Sequence, residues 1–69
     1  MTTRGMVKEL LIAYLNSRRL KYVSIAEFRG VYKAQLPKVD LYRVVYGLGL
    51  QDPMFRIEKD EDTTYVVMG

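Results

Sequence analysis

The first twenty residues carry apolar side chains at the spacing of an α-helix. Apolar residues recur at positions 6, 7, 10, 11, 14 and 15, whereas Lys8 and Glu9 lie outside this stripe. The pattern predicts a first helix over residues 6–20, with one face against a core. Ile12 falls off the stripe and is a candidate for a second contact surface. Positive charge at positions 18, 19 and 21 complements the dipole at the C-terminal end of this helix.

A second helix is predicted from a capping motif. Residues 21–24 are sufficient only for a brief strand or an extended linker. Ser24 and Glu27 then match a capping box, in which the Ser hydroxyl accepts from a backbone N–H three residues later. The helix is expected over residues 25–35, because Pro37 disfavours helical geometry at the residue before it.

A third helix is expected over residues 40–48. Asp40 is a suitable cap, and Pro37 at a first helical position is the alternative. After the last turn, Gly49 fits the left-handed position of a helix end, with Leu50 folding back on the helix. The inward side of the helix is expected to be Leu41, Val44 or Val45, and Leu48.

Beyond Pro53 the hydrophobic period changes to two residues, which is typical of strands. Residues 54–59 and 63–68 are predicted strands joined by a polar turn. Phe55 and Ile57 face the helices together with Tyr65 and Val67, or the opposite register holds. The fold class is therefore α+β, with three helices followed by a C-terminal two-stranded hairpin, in a single domain over residues 1–69.

Composition argues against catalysis. The chain has 69 residues and contains neither Cys nor His, which removes the usual zinc ligands, the thiol nucleophile and the commonest general base. We therefore expect no enzyme activity and no cofactor.

The sequence has no apolar stretch that approaches the roughly 20 residues needed to span a bilayer. A cytoplasmic protein without a membrane partner is expected.

Charge is distributed unevenly along the chain. Residues 1–50 contain nine Lys or Arg and three acids, a net +6, whereas residues 51–69 contain two bases and five acids, a net −3. A basic body with an acidic end indicates an anionic partner that meets the first part only. The alternative is an ordinary solvated surface with a small excess of basic residues.

The order of the predicted elements resembles the winged helix-turn-helix superfamily over essentially the whole chain. The resemblance makes residues 25–36 the positioning helix, 37–39 the turn, 40–48 the recognition helix and 54–68 the wing. It implies a DNA-binding transcription regulator, although a minority of such domains hold proteins or RNA. Tyr32-Lys33 and Phe55-Arg56-Ile57 also resemble LOTUS-type winged helices, which act in RNA and protein partnerships. This sequence lacks the Leu-rich segment that those domains carry before the hairpin.

The resemblance implies that the third helix enters the major groove of double-stranded DNA. Its outward residues would be Val39, Tyr42, Arg43 and Tyr46, with Arg43 suited to a bidentate bond with guanine. Phosphate contacts are expected from the basic residues that flank the turn, namely Lys38, Lys33 and Arg29. The alternative is that the tyrosines pack against a second protomer and that the charges are solvated.

The predicted wing is an argument against simple DNA binding. Its tip is Asp60-Glu61-Asp62, which phosphate repels, whereas wings that grip a minor groove bring Arg or Lys to it. We expect a DNA-binding protein, a small transcriptional regulator or an architectural factor, that forms a homodimer, with the first helix around Ile12 as one dimerisation surface. The alternative is a winged-helix module that binds protein or RNA within a larger complex.

Overall fold

The computed structural model describes residues 2–36 and 38–69. In this part of the chain the elements are α1 (Thr3–Arg18), β1 (Tyr22–Ser24), α2 (Ile25–Val31), α3 (Leu41–Gln51), β2 (Phe55–Asp60) and β3 (Thr63–Met68). The expected α+β class is confirmed. None of the described helices combines the length and the apolar character that crossing a bilayer requires.

The first helix begins earlier than its apolar stripe. The Thr2 hydroxyl accepts a hydrogen bond from the Gly5 backbone N–H at 3.1 Å, which caps α1 three residues before the predicted start. At the other end Arg19 adopts a left-handed conformation, with φ of 55°. Its N–H donates to backbone carbonyls of the last turn. The predicted bounds, residues 6–20, therefore lie too far toward the C-terminus at both ends of the helix.

The sheet has three strands, so the prediction of a two-stranded hairpin was wrong in its strand count. Tyr22–Ser24 pairs antiparallel with β3, and the strand order is β1-β3-β2. The Lys21 carbonyl accepts from the Met68 N–H at 2.7 Å, which extends this pairing by one bond. A three-residue strand has too little sequence to show a period, and its hydrogen-bond partners are more than forty residues away.

The second helix begins as predicted and ends early. The Ser24 hydroxyl accepts from the Glu27 N–H at 3.1 Å, which confirms the cap. The helix stops at Val31, and the chain continues through turns in which the Tyr32 carbonyl accepts from two later N–H groups. Gly30 in the last turn weakens helix propagation, because glycine lowers helix propensity by about 1 kcal/mol relative to alanine.

The third helix is longer than predicted. Asp40 caps it, with its Oδ1 accepting from the Arg43 N–H at 3.3 Å. The alternative cap, Pro37, lies outside the described residues. The helix continues to Gln51, so the expected left-handed conformation at Gly49 was wrong. Leu50 is 87% exposed and does not fold back.

Gly49 has a different role, which is to let α3 approach the sheet. A Cβ at this position would lie 2.6 Å from Ile57 Cγ1, closer than real carbon atoms come. Glycine in a helix is unfavourable by itself, so the contact with β2 explains its presence.

The hairpin register places Tyr65 and Val67 on the outer face of the sheet. Ile57 pairs with Val66, and Phe55 with Met68, so these residues share the side that faces the helices. The alternative that put Tyr65 and Val67 inward was wrong. The core lies between this inner face and the three helices, and its fully buried side chains include Val7, Leu11, Leu15, Val23, Ile25, Phe28, Val45 and Val66.

Candidate nucleic-acid interface

The outward side of α3 carries three of the four residues that the sequence predicts there. Leu41, Val45 and Leu48 are buried, which fixes the rotation of the helix about its axis. Tyr42, Arg43 and Tyr46 consequently face away from the core, and each tyrosine is 42% exposed. Val39, which was also expected outward, is half-buried and packs against the core, so it does not belong to this surface.

Basic residues flank the segment that connects α2 to α3. Arg29 and Lys33 are exposed and line an open cleft of about 590 Å³, whose other walls include Leu36 and Val39. Lys38 is exposed one residue before Val39. The cleft therefore joins the end of α2 to the residues that lead into α3, and it brings two of the predicted phosphate contacts to the connection between the two helices.

None of these cations forms an ion pair with a carboxylate of the described residues. In residues 2–36 and 38–69 the ion pairs are Lys8 with Asp52 and Arg56 with Glu58. Neither involves the predicted site residues, which are Arg29, Lys33, Lys38, Arg43 and the two tyrosines. Cations outside ion pairs attract an anionic partner, and this attraction is reduced by solvent, by salt and by the Asp40 carboxylate that caps α3 beside Arg43.

Arg4, on α1, contacts α3 beside this surface and was missed by sequence reasoning. Its guanidinium packs over Gly47, where a Cβ would come within 3.2 Å of Arg4 Nη2, and its Nη1 donates to Gln51 Oε1. Gly47 lies one helical turn after Arg43, so a further cation accompanies the outward face of α3. The sequence did contain a signal, which is Gly47 four residues after Arg43 on the same helix face. A glycine at this position leaves room for a side chain from another helix.

A second contact holds α1 against the end of α3. The Lys8 ammonium pairs with the Asp52 carboxylate, and the Met54 N–H donates to the same carboxylate at 3.0 Å. The pKa of Asp52 lies below its ordinary value. The hydrogen bond from Lys8 is the largest cause, and the hydrogen bond from the Met54 N–H is the second. This contact positions the C-terminal end of α3 relative to α1.

The acidic tip lies at the end of the hairpin. Asp60 pairs with Thr63, so Glu61 and Asp62 form a two-residue turn. Glu61 has φ of 53°, a conformation that favours glycine. Both turn residues are exposed. The tip is thus an exposed acidic turn, which is the opposite of what a phosphate-gripping wing requires.

The described residues contain no group of three or more Asp or Glu side chains arranged to hold a metal ion. The surface around α3 combines aromatic hydroxyls and positive charges, which suits binding to an anion.

Comparison of the chain with models of protein families, with curated protein sequences and with solved structures gives no match.

Proposed function

We propose that this chain is a winged-helix DNA-binding protein, a small transcriptional regulator or architectural factor that reads the major groove with α3. The observation that carries the proposal is the outward face of α3, where Tyr42, Arg43 and Tyr46 are exposed next to cations without carboxylate partners.

The order of the elements supports this proposal. Two consecutive helices, α2 and α3, are followed directly by the β2–β3 hairpin, which is the order of the winged-helix superfamily. Strand β1 is compatible with that order, because it pairs with β3 and anchors the hairpin to the helical body. A helix about 10–12 Å wide with its side chains fits a major groove that is about 12 Å wide.

The side chains on this surface match the two kinds of contact that DNA offers. Arg43 can donate two hydrogen bonds to guanine O6 and N7, worth about 1–3 kcal/mol of discrimination against another base. Arg29, Lys33 and Lys38 flank the helix and would contact phosphates, which fixes its register. If each of the three neutralises one phosphate, the logarithm of affinity falls with the logarithm of salt at a slope of about −2.7 per monomer.

The test measures the affinity of the protein for two labelled duplexes by fluorescence anisotropy at two salt concentrations. One duplex has a random sequence, and the other is selected from a random pool for tight binding to the wild type. Arg43→Ala should reduce the ratio of the two affinities by about 5- to 160-fold, which is about 1–3 kcal/mol, as expected for a lost bidentate base contact. Lys38→Ala should weaken both affinities equally and reduce the salt slope by about one.

Arg56→Ala is the matched control, since it also removes one positive charge. Arg56 lies between Phe55 and Ile57, which face the helices, so it lies on the opposite face of the sheet and binding should be unchanged. If the wild type binds no duplex at low salt, or if Arg56→Ala weakens binding as much as Lys38→Ala, the proposal is wrong.

A specific observation also favours a protein partner as the second candidate. Tyr42, Tyr46 and Leu50 lie four residues apart on α3, and Leu50 is exposed at 87%. Such a stripe suits the helix-in-groove mode of protein recognition. Leu50→Ser would abolish capture of that partner and leave duplex binding unchanged, which separates the two functions.

A further inference from the structure

The outer face of the sheet is an exposed surface that the DNA-binding proposal does not use. Tyr22, Tyr65 and Val67 lie side by side on it, since Tyr22 pairs with Val67 across β1 and β3. The two tyrosine rings meet edge to face with centroids 5.7 Å apart, and Tyr22 is 57% exposed. Two ordered aromatic rings at the surface of so small a protein are typical of an interface.

These side chains line an open cleft of about 610 Å³, together with Glu58, Lys59 and Asp60. The Glu58 carboxylate pairs with Arg56 at 3.3 Å, so these two charges cancel. The next charges toward the hairpin tip are Asp60, Glu61 and Asp62, with only Lys59 among them. The cleft is therefore apolar in its centre and negative at one end.

The opposite end of the same sheet is positive. Strand β1 runs antiparallel to β3, so its first residue lies next to the last residues of β3, away from the tip. Arg19 and Lys21 precede β1 at this end, and both are exposed and outside any ion pair of the described residues. The five residue steps of β3 separate the two ends by about 17 Å.

A surface with an apolar centre, one negative end and one positive end is complementary to itself under a two-fold axis. We infer that this face binds a second copy of the chain, with the outer faces antiparallel. Arg19 and Lys21 of each copy then meet the acidic tip of the other, and the tyrosines of the two copies pack together. The predicted dimerisation surface on α1 is less suitable, because Ile12 is half-buried and packs against the core.

The area of the face limits the strength of this contact. Two six-residue strands about 20 Å long and one three-residue strand about 10 Å long, spaced about 4.8 Å apart, give a projected area of about 240 Å². Stable interfaces bury about 800 Å² per partner. The dimer is therefore weak, with a dissociation constant in the micromolar range or above, and it dissociates on dilution. Its ionic contacts are exposed, so it also weakens with added salt.

The experiment uses sedimentation equilibrium of the full chain over a range of concentrations, without DNA. The wild type should move from the chain mass of 8.1 kDa toward twice that value as concentration rises. The double variant Arg19→Glu/Lys21→Glu makes both ends negative, and Asp60→Lys/Asp62→Lys makes both ends positive. Each double variant by itself should associate with its own copies at least 10-fold more weakly than the wild type does. An equimolar mixture should restore the dimer, because every contact between unlike variants joins opposite charges.

Glu9→Lys/Glu27→Lys is the matched control for the positive variant, since it makes the same change in net charge away from the sheet. It should dimerise like the wild type. A wild type that stays monomeric at all concentrations, or a mixture that stays monomeric, overturns the inference. Binding of an arginine-rich peptide by a monomeric wild type also overturns it and assigns the face to a basic protein partner. Since DNA is absent, failure here is distinct from failure to bind a duplex.

Discussion

Replacing Gly49 by alanine tests whether α3 is held against β2 as tightly as the structure indicates. An alanine Cβ at this position would lie 2.6 Å from Ile57 Cγ1 and 3.2 Å from its Cδ1. Both atoms belong to a β-branched side chain in a sheet, which has little freedom to rotate away. Gly30, in α2, has no atom within 4 Å of its would-be Cβ, and it is the matched control.

The two substitutions share one favourable effect and differ in one unfavourable effect. Alanine in place of a helical glycine stabilises by about 0.8–1 kcal/mol at either position. At position 49 the overlap with Ile57 costs about 1–3 kcal/mol, the usual range for an overpacked core. Gly30→Ala should therefore stabilise the protein, whereas Gly49→Ala should range from neutral to about 2 kcal/mol destabilising. A difference of 1 kcal/mol corresponds to about 4–8 °C in Tm for a domain of this size.

Thermal and urea unfolding of the wild type and the variants, followed by circular dichroism, measure these effects. Ile57→Ala provides the decisive background, because it removes Cγ1 and Cδ1 and leaves only Cβ, at 3.8 Å. In that background Gly49→Ala should stabilise as much as Gly30→Ala does. If Gly49→Ala stabilises the wild type by the same amount as Gly30→Ala, then α3 and β2 are not in the close contact described, and the reasoning is refuted.

Two further predictions concern the hairpin turn and the contact between α1 and α3. Glu61→Gly should stabilise the protein by about 0.5–1 kcal/mol, because it relieves the positive φ of 53° at that position. Glu61→Gln, which keeps the Cβ and removes the charge, should have little effect on Tm, and an equal gain from both would contradict the argument. The pKa of Asp52 is lowered in the folded state, chiefly by its hydrogen bond with Lys8. The pair therefore stabilises the folded protein at pH values above 3.8, the ordinary pKa of this carboxyl group, and its contribution is lost as the pH falls through the lower pKa of the folded state. Urea unfolding of the wild type and Lys8→Met should therefore differ at neutral pH and converge below about pH 3.8, whereas a constant difference would contradict the assignment.

Local chemistry determined the helix caps and the hairpin strands. Ser24 and Asp40 cap their helices as predicted, because an N-cap needs only a side-chain oxygen and an N–H three residues away. The hairpin was visible for a similar reason, since the period of two and the polar turn are properties of consecutive residues. The exposure of Tyr42, Arg43 and Tyr46 also followed from local periodicity, because burying Leu41 and Leu48 fixes the opposite side of the helix.

The tertiary structure decided what depends on residues far apart in the chain. Strand β1 exists because β3 offers hydrogen-bond partners to a segment with no period of its own. Gly49 was assigned to a helix end, since only the approach of Ile57 reveals why a glycine is needed inside α3. Arg4 joins the candidate interface through its contacts with Gly47 and Gln51. In each case the sequence contains the residue, but its partner is brought to it only by the packing of the helices on the sheet.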